Sequence, residues 1–259
     1  MAEPKVMLRE DGPLATLTLN RPEKLNAIDP EMLQLLEQAL SGLRRSTECR
    51  VVLLNAAGGR AFSVGADINA WSALNPLEMW RWWIADGHRV FDQLAHLRQP
   101  VIAVLEGYAF GGGLELALAA DIRIASTDAE LSQPEVKLAA VPGWAGTQRL
   151  PALIGEARAK QMLFSGARVG AVQAERWGLV NEVVETGMAM PRARDLAVEI
   201  AGNAPLAVQL CKQLVDGGKG NWTGATLEAL AGALAAGSAD GREGVAAFRE
   251  RRTAKFTGT

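Results

Sequence analysis

The sequence predicts an α/β fold followed by a helical C-terminal region, on three observations. Strand-like and helix-like patterns alternate through roughly the first 185 residues, as expected of a core built on mostly parallel strands. After Val184 only helical patterns remain, punctuated by Gly, Pro and Asn, which divides the chain into residues 1–190 and 191–259. The composition, 49% hydrophobic and 22% charged over 259 residues, is that of a globular protein with a sizeable core, and no internal repeat or low-complexity linker interrupts it.

The elements follow in order. Lys5–Arg9 and Leu14–Asn20 alternate apolar and polar residues around Asp11-Gly12-Pro13, a hairpin pattern. Asp29-Pro30-Glu31 supplies a helix N-cap, a proline at the first helical position and an acid in the first turn, and Leu33, Leu36, Leu40 and Leu43 continue one buried stripe. Val51–Asn55 reads as a short buried strand. A second helix is expected from Pro76 to Leu97, with Leu77, Trp80, Ile84, Phe91 and Leu94 on one face and Met79 and Trp82 off it. Trp80 and Trp83 are assigned to core or interface, and Trp82 is a candidate pocket wall. Strand Val101–Leu105, helix Leu114–Ala120 and strand Ile122–Ala125 come next. Four helices, Arg192–Gly202, Leu206–Val215, Thr223–Ala236 and Asp240–Arg251, complete the chain.

Charge and composition exclude several functions. A net charge of −2 and a pI near 5.8 provide no general field for a polyanion, so nucleic acid is not an expected partner. The longest apolar segments, Val101–Leu105 and Leu116–Ala120, fall far short of the ~20 residues that cross a bilayer, so no membrane association is expected. Cys49 and Cys211 lie far apart in a chain that begins without a basic-then-apolar leader, which predicts free thiols and the cytoplasm. His88 and His96, the only histidines, share one amphipathic stretch with no further ligand at metal spacing, which disfavours both a zinc site and a Ser-His-Asp hydrolase.

The stretch Phe110-Gly111-Gly112-Gly113-Leu114-Glu115-Leu116 stands out. Each glycine costs roughly 0.5–1 kcal/mol relative to alanine, so three in a row ahead of a helix imply that backbone must approach something closely. A helix start leaves N–H groups free to meet negative charge. Neither dinucleotide nor P-loop fingerprint is present, which leaves an oxyanion hole as the alternative. Ala61-Phe62-Ser63-Val64-Gly65-Ala66-Asp67-Ile68 is a candidate for the second donor. Glu115 and Glu135, the latter in Gln133-Pro134-Glu135-Val136, are candidate acid/base groups, since carboxylates sharing a partly dry pocket separate in pKa.

FSVGADI, GYAFGGGLELALAADIRIA and QPEVKLAAVPGWAGTQRL, with LNRPEKLNAI near the start and EGVAAFRERRTAKF near the end, together resemble the crotonase superfamily and its enoyl-CoA hydratase branch over almost the whole chain. The resemblance implies a spiral core of repeated ββα units with a C-terminal helical trimerisation region, assembled as a homotrimer or a dimer of trimers. It implies an acyl-CoA thioester substrate, no metal and no cofactor beyond the coenzyme A of that substrate. The implied reaction is reversible syn addition of water to a trans-2-enoyl-CoA, giving a 3-hydroxyacyl-CoA. Val64 and Gly112 are the implied N–H donors to the thioester oxygen. Glu115 is implied to activate the water for attack at C3 and Glu135 to exchange the proton at C2.

The same resemblance assigns substrate contacts to Lys24, Ala61, Ala66, Asp67 and Ile68 along coenzyme A, and to Gly143 and Trp144 at the acyl end. Two departures qualify it. Asn69 stands where a lysine often follows the GADI motif, which shifts phosphate binding to Arg21, Lys24, Arg252 or Lys255; Ala145 stands where glycine is more usual, beside Trp144. The Trp71–Trp83 region either caps a short pocket or stacks on an aromatic acyl group. The alternatives are another reaction of the superfamily, such as enoyl-CoA isomerisation or a specialised dehydration, and a non-catalytic acyl-CoA- or RNA-binding protein.

Overall fold

Strand β1 (Val6–Asp11) turns at Gly12, where φ is +56°, into antiparallel β2 (Leu14–Leu19), with Val6 opposite Leu19 and Asp11 opposite Leu14. Helix α1 (Pro30–Arg45) begins where the sequence places it: the Asp29 carboxylate accepts from the Met32 N–H at 2.9 Å, and Leu33, Leu36, Leu40 and Leu43 are buried. The structure, a computed structural model, describes residues 3–217 and 222–259.

From here the chain winds. β3 (Val51–Ala56) and β4 (Ala61–Ser63) lead to α2 (Ile68–Trp71), α3 (Pro76–Glu78), a π-helical turn (Met79–Ile84) and α4 (Ala85–Ala95). β5 (Val101–Leu105) and β6 (Tyr108–Phe110) lead to α5 (Gly112–Leu118). β7 (Ile122–Ser126) and β8 (Glu130–Ser132) lead to α6 (Gly146–Ile154), α7 (Glu156–Ser165), β9 (Val169–Gly170) and α8 (Ala171–Trp177), before β10 (Glu182–Val184). Each of the pairs β3–β4, β5–β6 and β7–β8 gives one strand to each of two sheets, a six-stranded sheet ordered β1-β2-β3-β5-β7-β10 and a four-stranded sheet ordered β4-β6-β8-β9. All neighbours are parallel except β1–β2 and β8–β9. This is the expected spiral of ββα units.

Parallel strands need cover on both faces. On one face Leu17, Leu54, Ala103 and Leu105 meet the apolar stripes of α1, α4 and α5. On the other, Val51, Leu53, Ile102, Val104 and Ile124 meet Ala189, Ala193, Ala197 and Ala201 of α9 (Ala189–Ala201). Alanine at every fourth position lets this helix lie close on the sheet. The expected boundary at 190/191 therefore falls inside a helix that covers the core, and the remaining helical region comprises α10 (Pro205–Gly217), α11 (Trp222–Gly237) and α12 (Ala239–Glu250). Among the described residues no helix is long and apolar enough to cross a membrane.

The helix expected over Pro76–Leu97 departs from its forecast face. The wider i→i+5 turn at Met79–Ile84 advances the inward face, so Leu77 and Trp80 are exposed while Trp83 is buried, and Trp82 faces outward as well. Below the turn the α-helical spacing resumes and Val90, Phe91 and Leu94 are buried.

Asp29 caps α1 and also pairs with Lys5 at 2.6 Å. Asp29→Ala is expected to lower stability by about 1–2 kcal/mol, read as a lower urea midpoint at unchanged slope. An unchanged midpoint would show that the cap contributes nothing.

Candidate active site

The segment 25–28 acts as a strap under the Ser63–Asp67 turn. Leu25 and Asn26 both adopt left-handed backbone, φ +51° and +55°, which turns the chain back on itself. The strap's carbonyls and amides then hold the turn: Val64 N–H donates to Leu25 O at 3.2 Å, Ile28 N–H to Gly65 O at 2.8 Å, and Asp67 N–H to Ile28 O at 2.8 Å. The Ser63 hydroxyl donates to Asn26 O at 2.7 Å, and the buried Asn26 amide donates to the carbonyls of Ala57 and Ala61 at 3.0 and 2.9 Å.

Against this turn lie the three glycines, each for a separate reason of space. Gly111, at φ +51°, leaves 2.9 Å between where a Cβ would stand and a Glu135 carboxylate oxygen. A Cβ on Gly112 would stand 2.5 Å from the Trp144 ring, and one on Gly113 would stand 2.3 Å from Ser63 O. Gly65, at φ +97°, completes the approach from the other side, its missing Cβ lying 3.0 Å from Gly112 N.

The structure corrects one of the two expected donors. Val64 N–H is bound to the strap, so it does not face a ligand. Gly65, in left-handed backbone, breaks the alternation of the extended chain, and the next N–H, that of Ala66, makes no hydrogen bond to any described residue. It lies 3.4 Å from the position a Cβ would take on Gly112. Gly112 N–H, at the first position of α5, has no helical acceptor and no other partner among the described residues. Ala66 and Gly112, not Val64 and Gly112, present the paired donors. The pairing of Ile28 with Ala66 as a parallel bridge, which directs the amides of alternate residues, is the signal that sequence spacing lacks.

Glu115, four residues beyond Gly111 and so on the inner face of α5, is buried to 2% exposure. One of its oxygens accepts from the N–H groups of Trp144 and Gly146, both at 2.7 Å. These donors flank Ala145, a non-glycine residue at φ +75°. Burial pushes the Glu115 carboxyl above its ordinary range, opposed by the Gly146 and Trp144 amides. Glu135 opens a 3-10 turn after β8, and burial, with the Glu115 charge adding to it, pushes its carboxyl up to about 7. Gln133, fully buried, was not foreseen. With its amide nitrogen turned to Glu135 it donates to both carboxylate oxygens at 2.9 and 3.1 Å.

Ala66, Gly112, Glu115 and Glu135 share a cavity of about 160 Å³. Of the residues named from sequence, Val64, Ala66, Ile68, Gly112, Glu115, Glu135, Gly143 and Trp144 line it. Lys24, Ala61 and Asp67 do not. Lys24 is exposed on a 3-10 turn (Pro22–Lys24), Ala61 is buried in β4, and Asp67 caps α2 and pairs with Arg21 at 2.7 Å, which holds its carboxyl below the usual range. Arg21 is thereby engaged within the fold, as is Arg252 by both oxygens of Glu243. Trp71, Met79, Trp83 and Ile84 also line the cavity; the π turn that brings the last three inward has no signature in apolar periodicity. Among the described residues no cluster of three or more His, Cys, Asp or Glu could hold a metal ion.

The raised Glu135 carboxyl makes stability depend on pH. Between its ordinary 4.5 and about 7 the folded chain binds a proton that the unfolded chain has released, so stability falls as pH rises through that window. At about 1.4 kcal/mol per unit the loss is at most ~3.5 kcal/mol. Glu135→Gln is expected to flatten the stability profile between pH 4.5 and about 7 and to gain on the wild type above that window. Parallel profiles for the two proteins would contradict the shift.

Comparison with known proteins gives the family. Residues 9–259 match the family model described as Enoyl-CoA hydratase/isomerase. The chain is 42% identical over 213 residues to a short-chain-enoyl-CoA hydratase of Clostridium acetobutylicum, covering 82% of this chain and 81% of that protein. It is 40% identical over 258 residues to an (E)-benzylidenesuccinyl-CoA hydratase of Thauera aromatica, covering 98% and 99%. The crystal structure of an enoyl-CoA hydratase from Bacillus anthracis superposes with a TM-score of 0.95 at 36% identity, covering 98% of this chain and all of the other. The spiral of ββα units, the paired amides and the two carboxyls thus sit in a chain that belongs to the enoyl-CoA hydratase/isomerase family of the crotonase superfamily.

Proposed function

We propose that the protein is an enoyl-CoA hydratase that adds water reversibly to a trans-2-enoyl-CoA. The observation that carries this reading is the convergence of two unpartnered amides, Ala66 and Gly112, and two buried carboxyls, Glu115 and Glu135, on one cavity. The amides hold the thioester oxygen, where negative charge collects as water adds to C3. Glu115, fixed by two backbone donors, takes the proton of the attacking water. Glu135, which keeps a substantial protonated fraction at neutral pH because burial raises its carboxyl to about 7, gives a proton to C2. Water's oxygen ends on C3 and a hydrogen on C2, with no net oxidation, so the reaction requires no cofactor and coenzyme A enters only as part of the substrate.

Lys24 is free to meet the coenzyme A phosphates, with the 61–68 turn beside the pantetheine. Two free thiols, Cys49 buried and Cys211 exposed, fit a cytoplasmic setting. Val215, Leu230, Leu234 and Phe248 expose apolar side chains on α10 to α12, which fits assembly into a homotrimer or a dimer of trimers; light scattering at micromolar concentration tests it, and a compact monomer would contradict it.

Purified protein is expected to consume the conjugated enoyl thioester absorbance of crotonyl-CoA. Glu115→Gln and Glu135→Gln should each slow turnover by about 10²–10⁴, the usual worth of a positioned acid or base. Wild-type turnover in either folded variant would remove that residue from the mechanism.

A further inference from the structure

The Trp144 indole is held from four sides. Its Nε1 donates to Trp83 O at 3.3 Å, and its ring meets Trp83 at 5.2 Å between centroids with a 54° tilt and Phe91 at 5.1 Å edge-on. On the fourth side it occupies the space over Gly87, where an added Cβ would fall 1.9 Å from Nε1. The residue is 2% exposed, yet it lines the cavity, and its ring edge rests on Gly112 itself. Close packing against this many neighbours holds the indole in this placement.

The backbone of the same residue donates to Glu115 at 2.7 Å. Trp144 therefore does two separable things: its N–H positions a carboxylate, and its side chain forms a rigid wall beside the paired amides. The cavity in front of that wall has a volume of about 160 Å³. An engineered apolar cavity of about 150 Å³ accommodates a benzene molecule, six carbon atoms. Four acyl carbons, the thioester oxygen and one water make the same number of heavy atoms.

Resting on the hydratase reading, we propose that the Trp144 side chain, locked against Trp83 and Phe91 and housed by Gly87, sets acyl length and restricts the enzyme to short, four-carbon-class enoyl thioesters. Chains extended beyond C4 meet the indole in place of open space. The residue acts through shape, and its backbone donor survives any substitution other than proline.

The test pairs catalysis with binding. Wild type is expected to hydrate crotonyl-CoA with kcat/KM at least tenfold above that for trans-2-octenoyl-CoA, and calorimetry is expected to show butyryl-CoA bound more tightly in its acyl portion than octanoyl-CoA. Trp144→Leu should raise the octenoyl-to-crotonyl ratio of kcat/KM at least tenfold, and the milder Trp144→Phe, which keeps a ring against Phe91, should raise it less. An unchanged ratio in folded variants, or equal use of both substrates by the wild type, would overturn the proposal. If the wild type hydrates neither substrate but still discriminates butyryl-CoA from octanoyl-CoA, the hydratase reading fails and the length restriction stands.

Discussion

The site depends on one constraint, the close packing of three different groups onto a stretch of backbone that carries no Cβ. Gly111, Gly112 and Gly113 face the Glu135 carboxyl, the Trp144 ring and the Ser63 carbonyl in turn. A methyl group at any of the three would stand within 3 Å of its neighbour, closer than van der Waals contact allows. The conformational freedom that three glycines lose on folding is offset by what the approach permits: an amide at the start of α5 can stand beside the amide of Ala66, from a different ββα turn, and both can address one oxygen.

The second amide depends on the strap. Leu25 and Asn26 are non-glycine residues in left-handed backbone, a state that persists only where surroundings hold it. Here the surroundings are the hydrogen bonds to Val64, Gly65 and Asp67 and the buried Asn26 side chain. The polar atoms of the strap are matched to those of the turn, and one N–H, that of Ala66, is left over. The same economy governs the carboxyls. Burial raises both carboxyls, but two backbone donors on one Glu115 oxygen oppose that rise and favour its ionised form, whereas Glu135, beside the Glu115 charge, is pushed up to about 7. Two carboxyls with different surroundings can hold and accept a proton at the same pH.

Much of this was legible in the sequence where the signal is local. The Asp29 cap, the leucine stripe of α1, the β1–β2 hairpin and the buried strands all follow from spacing and turn chemistry, and the glycine triplet announced a close approach. Three features were not legible from local spacing. Ala66 displaces Val64 as donor because Ile28 bonds to the residues on either side of Ala66 and Leu25 takes the Val64 amide. The π turn at Met79–Ile84 rotates Trp83 inward and Trp80 outward, which no α-helical period anticipates. The alanines of α9 read as the start of a separate helical region, yet they cover the second face of the large sheet.

The central claim is that the amides of Ala66 and Gly112 grip the thioester oxygen, and the carbonyl stretch of the bound substrate reports on that grip directly. Isotope-edited vibrational difference spectra of an enoyl-CoA labelled with carbon-13 at the thioester carbonyl, bound to Glu115→Gln to slow turnover, would read it. The account predicts a carbonyl band moved to lower frequency than in water, and its return toward the aqueous position when Gly112→Ala is added. A band at the aqueous frequency in the complex of the single variant would contradict it.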